Sequence, residues 1–103
     1  MEQLNAQEWK AKFDSTDGAI MVDVRTPAEW EEKVISDDAV FKNIHDQQEF
    51  MDWVRDLDKS KEYFIYCRSG ARSGNACSYM ESLGFTNTYN LAGGILNWPY
   101  EKA

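Results

Sequence analysis

"EYFIYCRSGARSGNACSYMESLG", Glu62 to Gly84, decides how this chain folds. Tyr63 to Tyr66 run on as aromatic and β-branched residues without polar alternation, the pattern of a central strand covered on both faces. The period then changes. Ala76, Cys77, Met80 and Leu83 share one face at helical spacing, and Gly84 stands where a helix commonly ends on a left-handed residue. Between strand and helix lies "YCRSGARS", Tyr66 to Ser73, in which a cysteine is followed within five residues by two arginines and a glycine. A strand, a tight loop and a helix are therefore expected, with a thiol at the junction.

The same alternation extends outward. "LNAQEWKAKF" offers Asn5 as N-cap with Glu8 three residues on, then Trp9 and Phe13 at i,i+4. "AIMVDV", Ala19 to Val24, reads as a buried strand after the turn "STDG". "TPAEWEEK" has Thr26 as N-cap, Pro27 at the first helical position and Glu29 closing a capping box. Ala39 to Ile44 is a candidate strand. "HDQQEFMDWVRDL" pairs Asp46 with Glu49 as a further capping box, with Phe50, Trp53, Val54 and Leu57 on one face. "TNTYNL" is a last strand, "AGG" its loop, and "ILNWPY" a short helix stopped by Pro99. Strands alternating with helices predict one α/β domain over residues 1–103, with a mainly parallel sheet. Sites in such sheets form beyond the carboxyl ends of the strands, where Cys67, Asp23 to Arg25 and Gly93-Gly94 all fall.

Charge narrows the function classes. Eleven basic residues face 18 acidic ones, a net charge of −7, so nucleic acid and anionic membranes are repelled. No apolar run spans a bilayer, no export signal is read, and both cysteines are expected as free thiols in a reducing cytoplasm. Two cysteines and one histidine at these spacings make no metal site, and "LAGG" lacks a nucleotide fingerprint, so no cofactor is expected. Arginine is scarce, yet Arg25, Arg68 and Arg72 sit at loop positions that can converge.

A loop of small residues lets backbone N–H groups turn inward, and a following helix adds the positive end of its dipole. With Arg68 and Arg72 nearby, these effects predict a lowered pKa for Cys67 and a nucleophile that needs no general base. The lone histidine, His45, is expected at the surface or as a helix cap. Cys77, on the apolar helix face, reads as core rather than as a resolving thiol. Trp9, Trp30, Trp53 and Trp98 read as core, Trp98 alternatively as an apolar wall of the site.

"DVRTPAEW", "YCRSGARS" and "NLAGGILNW", in this order, resemble the rhodanese (thiosulfate sulfurtransferase) domain family over nearly the whole chain. The resemblance implies a central five-stranded parallel sheet flanked by helices on both faces. It implies that Cys67 accepts a sulfane sulfur from a donor such as thiosulfate, becomes a persulfide, and passes the sulfur to a thiol or cyanide. Arg68, Ser69, Gly70, Ala71 and Arg72, with Ser73 behind them, would form the persulfide cradle. Asp23, Arg25, Gly93 and Gly94 would support it, Gly93-Gly94 at the pocket rim. An ion pair between the Asp23–Arg25 segment and the loop is expected, while Arg72 either touches substrate or bonds back to Asp23. Ser69 and Ser73 are either helix caps or, for Ser69, a persulfide ligand. Phosphatases and arsenate reductases of this fold resemble C-x5-R. Here Cys67 to Arg72 is C-x4-R, a smaller bowl suited to one sulfur atom. The family's "GHIPGA"-like turn is replaced by "KVISDDAV", which bears on donor choice. A non-catalytic module, or a persulfide carrier serving protein partners, is the alternative that keeps the same loop.

Overall fold

The apolar run Tyr63–Tyr66 forms β4, the middle strand of a five-stranded sheet in the order β1-β5-β4-β2-β3. The computed structural model describes residues 1–103. Its elements are β1 (Glu2–Leu4), α1 (Ala6–Ser15), β2 (Ile20–Asp23), α2 (Pro27–Glu32), β3 (Val40–Phe41), α3 (Gln47–Arg55), β4, α4 (Ala71–Ser82) and β5 (Thr88–Leu91), then a 3-10 turn over Ile95–Asn97. Every neighbouring pair is parallel, so all strands point their carboxyl ends the same way. The α/β fold with a parallel sheet expected from the sequence is the one observed.

Alternation along β4 divides the core in two. Tyr63, Ile65 and Cys67 pack on one face with Val22, Val24, Phe50, Val54, Ala76, Cys77 and Met80, beneath α3 and α4. Phe64 and Tyr66 point the other way, to Trp9, Met21, Tyr89, Leu91 and Trp98. Trp9 is fully buried there, with its ring edge-on to Phe64, Tyr66 and Trp98 at 5.8, 6.1 and 5.6 Å between centroids. Aromatic pairs at such separations favour edge-to-face geometry. Trp98 is thus core and not a wall of the site. Trp30 and Trp53 are only half-buried, against the expectation of core. Each lies on a short helix at the outer side of the sheet, where a large ring covers the layer below without being covered itself.

The capping boxes at Asn5–Glu8 and Thr26–Glu29 form as read. The one at Asp46–Glu49 does not. Asp46 has ψ 70°, far from the extended ψ of 171° at Asn5 and 159° at Thr26, so no side-chain cap bond is made. His45 is exposed, and its backbone N–H bonds Asn43 Oδ1 at 2.9 Å. The candidate strand at 39–44 shrinks to Val40–Phe41, although Lys42 and Ile44 still donate to Asp23 and Val24 carbonyls. β1 carries no sequence signal, because "EQL" is polar, short and on the sheet edge.

Candidate active site around Cys67

Period-two alternation sends the Cys67 side chain to the α4 face of the sheet, and its place just after β4 sets it at the amino end of α4. The chain turns between them through Gly70, whose φ of +103° suits glycine alone. A Cβ there would also press on Gly93 N and Leu91 O, each at 3.3 Å. Cys67 has no exposed surface, whereas Arg68 and Ser69 above it face solvent.

The cradle is built by anchoring carbonyls outward. A trans peptide sets C=O and N–H on opposite sides, so fixing one aims the other. Ile95 N–H donates to Cys67 O at 2.9 Å and Leu96 N–H to Arg68 O at 3.1 Å. The N–H groups of Arg68 and Ser69 are thereby turned away from the 3-10 turn. Gly94 makes that approach feasible, because a Cβ on it would lie 2.3 Å from Arg68 O and 2.6 Å from Cys67 O. Gly94, expected with Gly93 at the pocket rim, thus lies against the back of the loop, where the Ile95 and Leu96 N–H groups clamp it.

Gly70 N–H donates to Cys67 Sγ at 3.1 Å, and Ser73 Oγ stands 3.3 Å from it. Burial pushes the Cys67 thiol up, but the Ser73 hydroxyl and the N–H groups of Ser73, Gly70 and Ser69 outweigh it and hold the pKa below the usual thiol value. The lowered pKa agrees with the sequence reading, while its leading causes do not. Hydrogen bonds to the charged sulfur, rather than arginine charge, dominate. Cys77 behaves oppositely: buried on the same face, its thiol is pushed up to about 12 by desolvation, as befits a core residue.

The arginines are placed differently from expectation. Arg25 and Asp23 pair with each other, Nη2 to Oδ2 at 2.8 Å, both buried, and Arg25 also donates to Lys33 O at 2.7 Å. That pair closes on itself and does not reach the loop. The link to the loop is one helical turn further on, where Arg72 Nη1 and Nη2 meet Glu29 Oε1 and Oε2 at 2.8 and 2.9 Å. This two-pronged bond holds the Glu29 carboxyl down at about 2, against the opposing effect of burial. Of the two partners considered for Arg72, Asp23 is therefore not bonded, and Glu29 takes its place. Arg68 edges an open cavity of about 300 Å³ shared with Arg25, Glu29, Lys33, Ile95 and Leu96. The "KVISDDAV" segment replaces the usual turn by burying Val34 and Ile35, with Ile35 N–H on Tyr66 Oη at 3.1 Å.

Neither serine caps α4, whose N-cap is Gly70 without a side-chain bond. Ser69 contributes its N–H and Ala71 opens the helix, while the Ser73 side chain turns back to the sulfur. The sequence reading missed Glu29 as a loop partner and missed Asn90. Asn90 lies in β5 at 1% exposure, donating to Gly70 O at 3.1 Å and accepting from Ser73 Oγ. Its signal was present: asparagine is depleted in buried strands, and one inside "TYNL" asks for polar partners.

The chain is similar to known proteins over most of its length. A sulfurtransferase from Allochromatium vinosum is 34% identical over 98 residues, covering 95% of this chain and 88% of the relative. A thiosulfate sulfurtransferase from Pseudomonas syringae is 33% identical, over 79% of this chain and 73% of the relative. A crystal structure of a rhodanese-like domain protein from Staphylococcus aureus superposes with a TM-score of 0.81 at 28% identity, covering 98% of this chain and 94% of that one. The model of the rhodanese-like domain matches residues 5–101, and with relatives at this identity and coverage the chain belongs to the rhodanese-like domain family.

Proposed function

We propose that this protein moves a sulfane sulfur through a persulfide on Cys67. The observation that carries the reading is the sulfur's position. Cys67 Sγ lies at the amino end of α4, bonded by Gly70 N–H, with hydroxyl and further N–H donors around it and a pKa below the usual thiol value. In the first step the thiolate attacks the outer sulfur of a donor such as thiosulfate. The S–S bond to the outer sulfur forms as the donor's own S–S bond breaks, and sulfite leaves with the electron pair. In the second step an acceptor thiol or cyanide attacks the outer sulfur, and the Cys67 thiolate is regenerated. The donors that stabilise the thiolate also stabilise the anionic persulfide, and they are fixed before the reaction begins.

Because Cys67 is covered, the donor sulfur enters on the solvent-facing side of the loop, past Arg68 and Ser69. Arg68 is the loop arginine left for an anionic donor, since Arg72 is held by Glu29. Thiosulfate, a low-molecular-weight persulfide and a protein persulfide are the donor classes that fit. Two free thiols suit a reducing compartment such as the cytoplasm.

Intact mass after incubation with thiosulfate or an organic persulfide tests the reading. Wild type should gain the mass of one sulfur and lose it to cyanide, and Cys67→Ser should gain none. Equal uptake by Cys67→Ser would remove Cys67 from the mechanism, and no uptake from any of these donors would remove sulfur transfer.

A further inference from the structure

The Ser73 hydroxyl has one proton and three acceptors within reach. Cys67 Sγ and Gly70 O each lie at 3.3 Å, and Asn90 Oδ1 lies closer than either. Which acceptor takes it is fixed by atoms further along. The Gly70 carbonyl can only accept, so the Asn90 atom facing it at 3.1 Å is the amide nitrogen. The same nitrogen donates its second proton to Gln3 Oε1 at 2.9 Å, tying the network to β1. The other end of the amide, Oδ1, can only accept, so the Ser73 hydroxyl must donate to it. Ser73 then presents lone pairs, not its proton, to a neutral Cys67 thiol. When the sulfur ionises, its own proton leaves to solvent. The charged sulfur is now the stronger acceptor, and the hydroxyl turns from Asn90 to it.

We propose that Asn90 is a positioning residue for Cys67. It holds the Ser73 proton while the sulfur is neutral, and releases it when the sulfur carries charge, as thiolate or persulfide. The role rests on Cys67 being the reacting thiol. Asn90 is 1% exposed and Ser73 fully buried, so water does not substitute for either partner. Every thiolate formed breaks the Ser73–Asn90 bond, and Asn90 therefore keeps the sulfur more basic than the cradle alone would leave it. A more basic thiolate is a stronger nucleophile once formed. The network also holds the Gly70 carbonyl, which accepts from Gly74 N–H at 3.0 Å as well as from Asn90. Charged and titratable groups on the surrounding elements are Asp23 and Arg25 at the end of β2, Glu29 on α2, Arg68 in the loop, and Arg72 and Cys77 on α4. They stay constant in the comparison below.

The test is a pH titration of the Cys67 thiolate by its ultraviolet absorbance, each protein referenced to the same protein carrying Cys67→Ser. Asn90→Leu keeps the branching of the side chain and removes the acceptor. Its thiol inflection should move to lower pH by about 0.7 unit, the size of one net hydrogen bond. In a Ser73→Ala background the same substitution should move nothing. A shift of equal size in both backgrounds, or none in the first, would overturn the proposal, because a purely structural asparagine does not act through the Ser73 proton. Asn90→Val, at home in a buried strand, gives the same reading should Asn90→Leu fold poorly. The titration does not depend on sulfur uptake. A network that shifts as expected in a protein that accepts no sulfur would leave this proposal standing and remove the sulfurtransferase reading alone.

Discussion

At the scale of single residues, two glycines with positive φ separate backbone freedom from close approach. Gly18 (φ +72°) has open space within 4 Å of where a Cβ would lie, whereas Gly94 (φ +61°) would drive a Cβ into the Arg68 carbonyl. Gly18→Ala should therefore lose only about 1 kcal/mol, the ordinary left-handed penalty. Gly94→Ala should lose more, about 2–3 kcal/mol, and should also lose sulfur uptake, because the clamp on Cys67 O and Arg68 O must open. Denaturant unfolding beside the mass assay checks both. A Gly94→Ala protein with normal uptake would show that the clamp does not position the loop. The doublet was legible in "NLAGGILNW", but its partner was not. Which backbone a glycine lets approach depends on an element some 25 residues earlier, and no local pattern records that.

At the scale of elements, the site is a junction of α2, the β4–α4 loop and the 3-10 turn, and the Glu29–Arg72 pair is the tie between the first two. Glu29 also accepts from Thr26 N–H and Oγ1, so one carboxylate caps α2 and holds α4. Its pKa is depressed from 4.5 to about 2 in the folded protein. A depressed carboxylate contributes stability that is fully present above the unfolded value and is lost as pH falls through the folded one. Wild type should thus lose stability between about pH 4.5 and pH 2, in a window where Glu29→Gln loses less. At neutral pH, Glu29→Gln should be less stable by about 1.5 kcal/mol, the scale of a charged hydrogen bond. Denaturant midpoints taken across that range would show parallel curves if the pair contributed nothing. The capping role of Glu29 was readable from T-P-A-E, since a capping box is local. Its second role needed Arg72, 43 residues away, to arrive at the same end of the sheet. Asp46–Glu49 shows the converse: the letters of a capping box are present, but the turn from β3 sets a ψ at Asp46 that the motif does not tolerate.

At the scale of the whole molecule, the sheet is covered on both faces, and the two cores are anchored unequally. The α1 face gathers its aromatics around Trp9, at 0% exposure, while Trp30 and Trp53 lie half-open at the periphery. Trp9→Ala should lose about 4 kcal/mol, a large part of the 5–15 kcal/mol of a domain this size, and Trp30→Ala distinctly less. Equal losses in thermal or denaturant unfolding would refute this inequality. The sequence by itself determined the class of fold, the order of β4, loop and α4, and the thiol at their junction. Those follow from periodicity, capping and loop composition, which act over neighbouring residues. Only the tertiary structure decided what surrounds the thiol. Glu29 neutralises Arg72, Gly94 lets the Ile95 and Leu96 N–H groups clamp the loop carbonyls, and Asn90 holds the Ser73 proton, because parallel strands bring α2, β5 and the 3-10 turn to one end of the sheet. Hydrogen bonds require contact in space, and contacts between distant segments are set by the sheet order, which no short stretch of sequence encodes.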